Sequence, residues 1–152
     1  MDKEYIKQLI AELFEKTSCT ITNCEFEDDG AMSWCLINTP DSRFLIGRDG
    51  EALRSLNHLV KKIAESKYGE EAVRNLMIDI NGYQKKRFDN LKAQAHMLAE
   101  RARYFKSNIE TDPMPAFERR IIHLFLENVK DIKTESRGEG KDRRVVISFV
   151  EA

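Results

Sequence analysis

Arg43-Phe44-Leu45-Ile46-Gly47-Arg48-Asp49-Gly50-Glu51-Ala52-Leu53, residues 43–53, is the stretch whose reading decides the fold. Two glycines three apart predict a tight loop between two helical segments, because neither carries a Cβ to block a sharp turn or a close approach. Such a loop turns backbone N–H groups and the positive end of a helix dipole toward one point, and Arg48 adds a cation there. Ile46, Gly47, Arg48, Asp49 and Gly50 are therefore a candidate phosphate-holding corner, with Leu45, Ile46 and Leu53 expected to line an apolar groove beside it. Asp49 repels phosphate and is expected to cap the helix that starts at Gly50. A bare Gly-x-x-Gly is usually only a turn, so the flanking pattern must carry the reading.

Upstream, residues 3–16 place Tyr5/Ile6, Leu9/Ile10 and Leu13/Phe14 at helical spacing. Thr20–Glu27 and Ala31–Asn38, divided by Asp28-Asp29-Gly30, read as a hairpin with Met32, Trp34 and Leu36 on one face. Pro40 stops the second strand, and Asp41-Ser42 starts a single helical turn, Arg43–Ile46. Downstream, Ala52/Leu53, Leu56, Leu59/Val60 and Ile63/Ala64 keep one stripe until Lys67-Tyr68-Gly69, and Leu76, Ile78 and Ile80 alternate as a third strand. The order is α-β-β-α-loop-α-β over residues 1–82.

From Tyr83 to Ser107 the residues Phe88, Leu91, Ala95, Leu98, Ala102 and Phe105 recur at seam spacing, a connecting helix about 37 Å long over residues 83–108. Three heptads also suit a homodimeric coiled coil, but alanine at two seam positions favours packing on the chain's own domains. Asp112-Pro113-Met114-Pro115 opens another helix, Ala116–Val129, and a hairpin of Ile132–Arg137 and Arg143–Val150 ends the chain, giving a small α/β domain over residues 109–152. The fold class is α+β.

The 152 residues carry 25 Lys+Arg and 26 Asp+Glu, a net charge of −1. The balance is uneven: residues 1–40 hold 3 basic and 8 acidic side chains, residues 81–152 hold 15 and 11. An excess of that size is usually a solvated face and does not by itself imply a polyanion. No run of apolar residues suits a membrane span or signal peptide, and the expected location is the cytoplasm. Cys19, Cys24 and Cys35 match no zinc or redox spacing, so reduced, buried thiols are expected.

On the helix of residues 116–129, Arg119 and His123 share a polar face with Glu127 and Arg120, opposite an apolar arc of Phe117, Ile121, Ile122, Leu124, Phe125, Leu126 and Val129. With Arg143 and Arg144 from the hairpin, Arg119, Arg120 and His123 offer a guanidinium fork, an imidazole able to stack or donate, and further cations to phosphate and base. An Arg-x-x-x-His pair after Pro-x-Pro and before Arg143-Arg144 resembles the R-three-H domain, a single-stranded nucleic-acid binder. The first 82 residues resemble a type II KH domain, whose GXXG loop clamps a short single strand.

In that order, with Glu118-Arg119-Arg120-Ile121-Ile122-His123 and Arg143-Arg144-Val145-Val146-Ile147, the chain is similar to the bacterial Jag family of SpoIIIJ-associated proteins. The resemblance implies binding of single-stranded RNA, or of single-stranded DNA, a link to sporulation and cell elongation, and partnership with a small KH protein and a membrane insertase system. Family members usually carry a further small domain before the KH domain, so this chain reads as a short member or a fragment. Lys141-Asp142 stands at a turn where the family pattern has Pro-Asn.

An enzyme would need a nucleophile with a base, paired carboxylates or metal ligands at workable spacing. Glu118, Glu127, Asp79 and Asp89 form no such pair and are expected to be solvated, and no Walker motif occurs. The expectation is a binder with no catalytic residue, metal or cofactor. Its main rival is a protein-docking adaptor built on the KH fold.

Overall fold

A computed structural model describes residues 1–151 and divides into two compact units, Met1–Lys85 and the residues from Lys86 onward. The first contains α1 (Lys3–Lys16), β1 (Asn23–Asp28), β2 (Ser33–Asn38), α2 (Ser42–Ile46), α3 (Glu51–Tyr68), α4 (Glu70–Val73) and β3 (Leu76–Ile80). Its sheet runs β1-β2-β3, with β1 antiparallel and β3 parallel to β2. The hairpin strands begin later than the hydrophobic pattern predicts. The Asp29 carboxylate accepts the N–H groups of Ala31 (3.0 Å) and Met32 (2.7 Å), which makes a side-chain-closed turn of residues expected to open β2.

Ile6, Ile10 and Phe14 recur every four residues on α1 and bury against Leu53, Val60 and Ala64 of α3 and Cys35, Ile37, Leu76, Ile78 and Ile80 of the sheet. Each large side chain so enclosed contributes about 1.5–3 kcal/mol. The polar exception is Asn57. Its amide donates to the carbonyls of Leu53 (3.1 Å) and Ile78 (3.0 Å) and accepts the Ile78 N–H at 2.8 Å, satisfying the backbone of the edge strand β3 inside the core. Asp79 is also enclosed, only 1% exposed, which corrects the expectation of a solvated carboxylate. It accepts the Gln84 N–H at 2.6 Å and so holds the first turn of the next helix, while burial raises its pKa.

That helix, α5 (Tyr83–Phe105), gives nearly all its length to the second unit, which continues with β4 (Asn108–Glu110), α6 (Ala116–Leu126), β5 (Ile132–Arg137) and β6 (Arg144–Phe149). The sheet order is β4-β6-β5, antiparallel throughout. β4 is not foreseen by the sequence pattern, since three residues are too few to establish alternation. The α5 seam buries Phe88, Leu91, Ala95, Leu98 and Ala102, and Phe88 packs on Phe117 of α6 with ring centroids 5.0 Å apart. Phe105 does not follow the seam. Lys106 turns to φ 49° and the Ser107 N–H closes on the Ala102 carbonyl, so the helix ends with Phe105 62% exposed against Tyr104. Among the described residues no helix is long and apolar enough to cross a membrane.

Candidate nucleic-acid interface

Helix α6 starts directly after Pro115, and the segment before it is tied to the sheet: the Met114 N–H donates to the Arg143 carbonyl at 3.1 Å. The Met114 carbonyl in turn accepts Nε of Arg119 at 3.2 Å. Arg119 is thus anchored through the inner nitrogen of its guanidinium, at the end of the sheet where the β5–β6 turn lies. Its two terminal nitrogens make no hydrogen bond or ion pair among the described residues, which leaves the fork that matches a phosphate or a base edge available.

One helical turn further, His123 spends both ring nitrogens on β5. Nδ1 lies 2.7 Å from Thr134 Oγ1 and Nε2 lies 2.9 Å from Ser136 Oγ. Burial, and then the Arg119 charge, hold its pKa below the ordinary imidazole value. A neutral ring has one donor and one acceptor, and hydroxyls can complement either tautomer. The expectation that His123 donates to a ligand therefore gives way to a different role: it fastens α6 to β5 and fixes the face from which Arg119 projects. Arg120 lies about 100° further round the helix and is half-buried.

The two hairpin arginines separate. Direct partners in an antiparallel pair share a face, so Thr134 and Ser136, which touch His123, place Ile147 and Val145 on the α6 side, and alternation puts Arg143 there too. Arg143 Nη1 donates to the Gly138 carbonyl at 2.8 Å, inside a turn where a Cβ on Gly138 would stand 3.0 Å from the Asp142 carbonyl oxygen. Arg144 faces the other side with Glu110, to which its Nη1 is paired at 3.6 Å. The grouping of Arg144 with Arg119 and His123 is corrected accordingly, because one residue of register reverses a strand side chain.

In the first unit the glycine corner is a short 3-10 turn, Arg48–Gly50, between α2 and α3. Gly47 has φ 72° and ψ −172°, and a Cβ there would stand 2.8 Å from Ala52 Cβ; Gly50 is buried against Tyr83. Arg48 and Asp49 are exposed at the tip, and Ile46 is half-buried. Asp49 does not cap α3. Gly50 occupies the N-cap position in a left-handed conformation without a side-chain bond, and Asp49, itself at φ 52°, contributes only its carbonyl, which accepts Arg54 Nη1 at 2.8 Å. Its carboxylate therefore stays charged beside Arg48. Leu45 and Leu53 belong to the core rather than to a groove. The exposed apolar side chain near the corner is Phe44, 68% exposed, which the sequence pattern does not single out because it sits inside a helical turn of otherwise mixed character. Arg43, also exposed on that turn, is not singled out by the pattern either.

Residues 89–149 match the R-three-H domain family, and the match falls wholly within the second unit. The molecule is thus an α+β protein that carries an R-three-H domain. Similarity extends further: RNA-binding protein KhpB of Clostridium symbiosum is 35% identical over 109 residues, covering 72% of this chain and 48% of that protein. RNA-binding protein KhpB of Bacillus subtilis is 38% identical over 106 residues, covering 68% and 50%, and that of Lactiplantibacillus plantarum 31% identical over 112 residues, covering 74% and 34%. The chain belongs to the Jag family. It spans about half the length of the first two of these curated relatives.

Proposed function

We propose that this chain binds single-stranded nucleic acid, RNA above all, and does so without catalysis. The observation that carries the reading is Arg119: a guanidinium held by its inner nitrogen, with both outer nitrogens uncommitted, on a helix pinned by His123 and on the same side of the sheet as Arg143. Fixing the fork in advance reduces the side-chain entropy lost when it grips a phosphate. The relatives' name, RNA-binding protein, supports RNA as the ligand.

The first unit has the element order of a type II KH domain, and in this reading its GXXG corner is the weaker of two sites. Arg48 offers a cation and the glycines allow close approach, but the Asp49 carboxylate, free of any capping bond, opposes a phosphate at the same tip. That same carboxylate favours a second reading, in which this unit docks protein partners and only the R-three-H half touches RNA. Family resemblance adds a cytoplasmic role in sporulation or cell elongation, with a small KH protein and a membrane insertase system as partners to test.

Fluorescence anisotropy with a labelled single-stranded RNA at two salt concentrations tests both readings. Arg119→Ala is expected to weaken binding roughly tenfold or more and Arg48→Asp by less. Binding that is absent from the unaltered chain, or insensitive to salt, would defeat RNA binding and leave the adaptor. An effect of Arg119→Ala alone would leave the first unit as a docking module.

A further inference from the structure

Cys24 on β1 and Cys35 on β2 are diagonal neighbours: Cys24 stands opposite Ile37 and Phe26 opposite Cys35. Both side chains leave the sheet on the face covered by α1. Their sulfurs are 3.6 Å apart and both thiols are free. A disulfide is about 2.05 Å long, so joining them takes roughly 1.5 Å of approach between two side chains already in contact. The two are unequal in access, since Cys35 is fully buried and Cys24 is half-exposed on β1, the edge strand.

We propose that Cys24 and Cys35 are a modification site, a dithiol that hydrogen peroxide converts to a disulfide joining β1 to β2. The Cys24 thiolate attacks one peroxide oxygen, the O–O bond breaks, and Cys24 becomes a sulfenic acid while hydroxide leaves. The Cys35 sulfur then attacks the Cys24 sulfur. The S–S bond forms as the S–O bond breaks, and the sulfenic oxygen departs as water with the Cys35 proton. Hydroxide takes up the proton Cys24 first released, so two thiols and one peroxide give one disulfide and two waters. The environment supports this order of events. Hydrogen bonding from the Cys35 thiol, with the charge of Lys7 from α1 adding to it, lowers the Cys24 pKa against the opposing effect of burial, whereas Cys35 is pushed strongly up by its neighbouring sulfur and by burial. Cys19 lies against the same core, but its sulfur is directed to the Thr17 carbonyl at 3.8 Å and has no thiol partner among the described residues.

The test is peroxide treatment of the full chain, followed by thiol titration and peptide mapping with cleavage after Glu25 and Glu27, which separates Cys24 from Cys35. The expected result is a fall from three free thiols to one, a linked pair of peptides in a monomeric chain, and return to three with dithiothreitol. Cys19→Ala should still form the link, while Cys24→Ser, at a half-exposed edge position, should not. Three thiols persisting at doses that oxidise a free small thiol would overturn the proposal. So would a link that uses Cys19, or one that joins two chains.

Discussion

The glycine corner of the first unit and the helix–hairpin face of the second carry similar promises in sequence and keep them unequally. Each sets an arginine beside backbone that is able to receive a phosphate. At the corner, Arg48 shares the tip with Asp49, whose carboxylate has no structural task, and the glycines are spent on packing against Ala52 and Tyr83. On the second unit's face Arg119 is held by Met114, His123 is locked to β5, and the acid that flanks Arg119, Glu118, is drawn to Arg87 at 2.9 Å. The lesson is that a cation becomes a binding group when its neighbours fix it and its counter-charges are engaged elsewhere.

The largest effect expected falls on the corner, and on stability rather than binding. Gly47→Val places a branched side chain where a single Cβ already meets Ala52 at 2.8 Å and where φ is 72°. It should cost about 2–4 kcal/mol in urea denaturation; a neutral result would mean that the turn is not packed as described. Next come the hairpin arginines. Arg143→Ala should reduce the salt slope of RNA binding by about one, and Arg144→Ala, whose side chain is paired with Glu110 on the opposite face, should leave it nearly unchanged. Equal effects would erase the distinction between the two faces.

His123 sharpens the comparison through pH. Its pKa is depressed in the folded chain, so below about 6.5 the unfolded chain takes up a proton that the folded one resists. Stability contributed by the neutral ring is present above that value and is lost as the pH falls through the folded pKa. His123→Gln should flatten this dependence, read as urea midpoints at about pH 5 and about pH 7.5. The smallest change is expected of Asp49→Asn. Removing one exposed charge from the corner should strengthen RNA binding roughly two- to threefold at low salt and hardly at all at high salt. Weaker binding would mean that the carboxylate takes part in recognition.

Much of the fold is legible in the sequence because periodicity reports burial directly. The spacing of Ile6, Ile10 and Phe14 defines α1, and the alternation of Leu76, Ile78 and Ile80 defines β3, with the observed ends matching the predicted ones closely. What escapes is whatever depends on partners distant in sequence. Asn57 looks like an ordinary polar residue on α3 until β3 is laid beside it. Asp79 reads as a solvated acid until the start of α5 folds over it. β4 exists only because β6 offers it an edge. The site follows the same rule. Arg119 and His123 are found from their spacing on one helix, whereas the divergence of Arg143 and Arg144 and the commitment of both imidazole nitrogens follow from the β5–β6 register. The closeness of Cys24 and Cys35 is likewise set by hairpin register, so their separation in sequence gives no warning of it.

The most direct test of the central claim is an NMR titration of the chain with a short single-stranded RNA, following arginine side-chain Nε–Hε signals together with backbone amides. The account predicts that Arg119 and Arg143 shift at the lowest RNA concentrations, with the amides of Gly47–Gly50 responding later or not at all. Early shifts confined to Gly47–Gly50, with Arg119 unmoved, would contradict it.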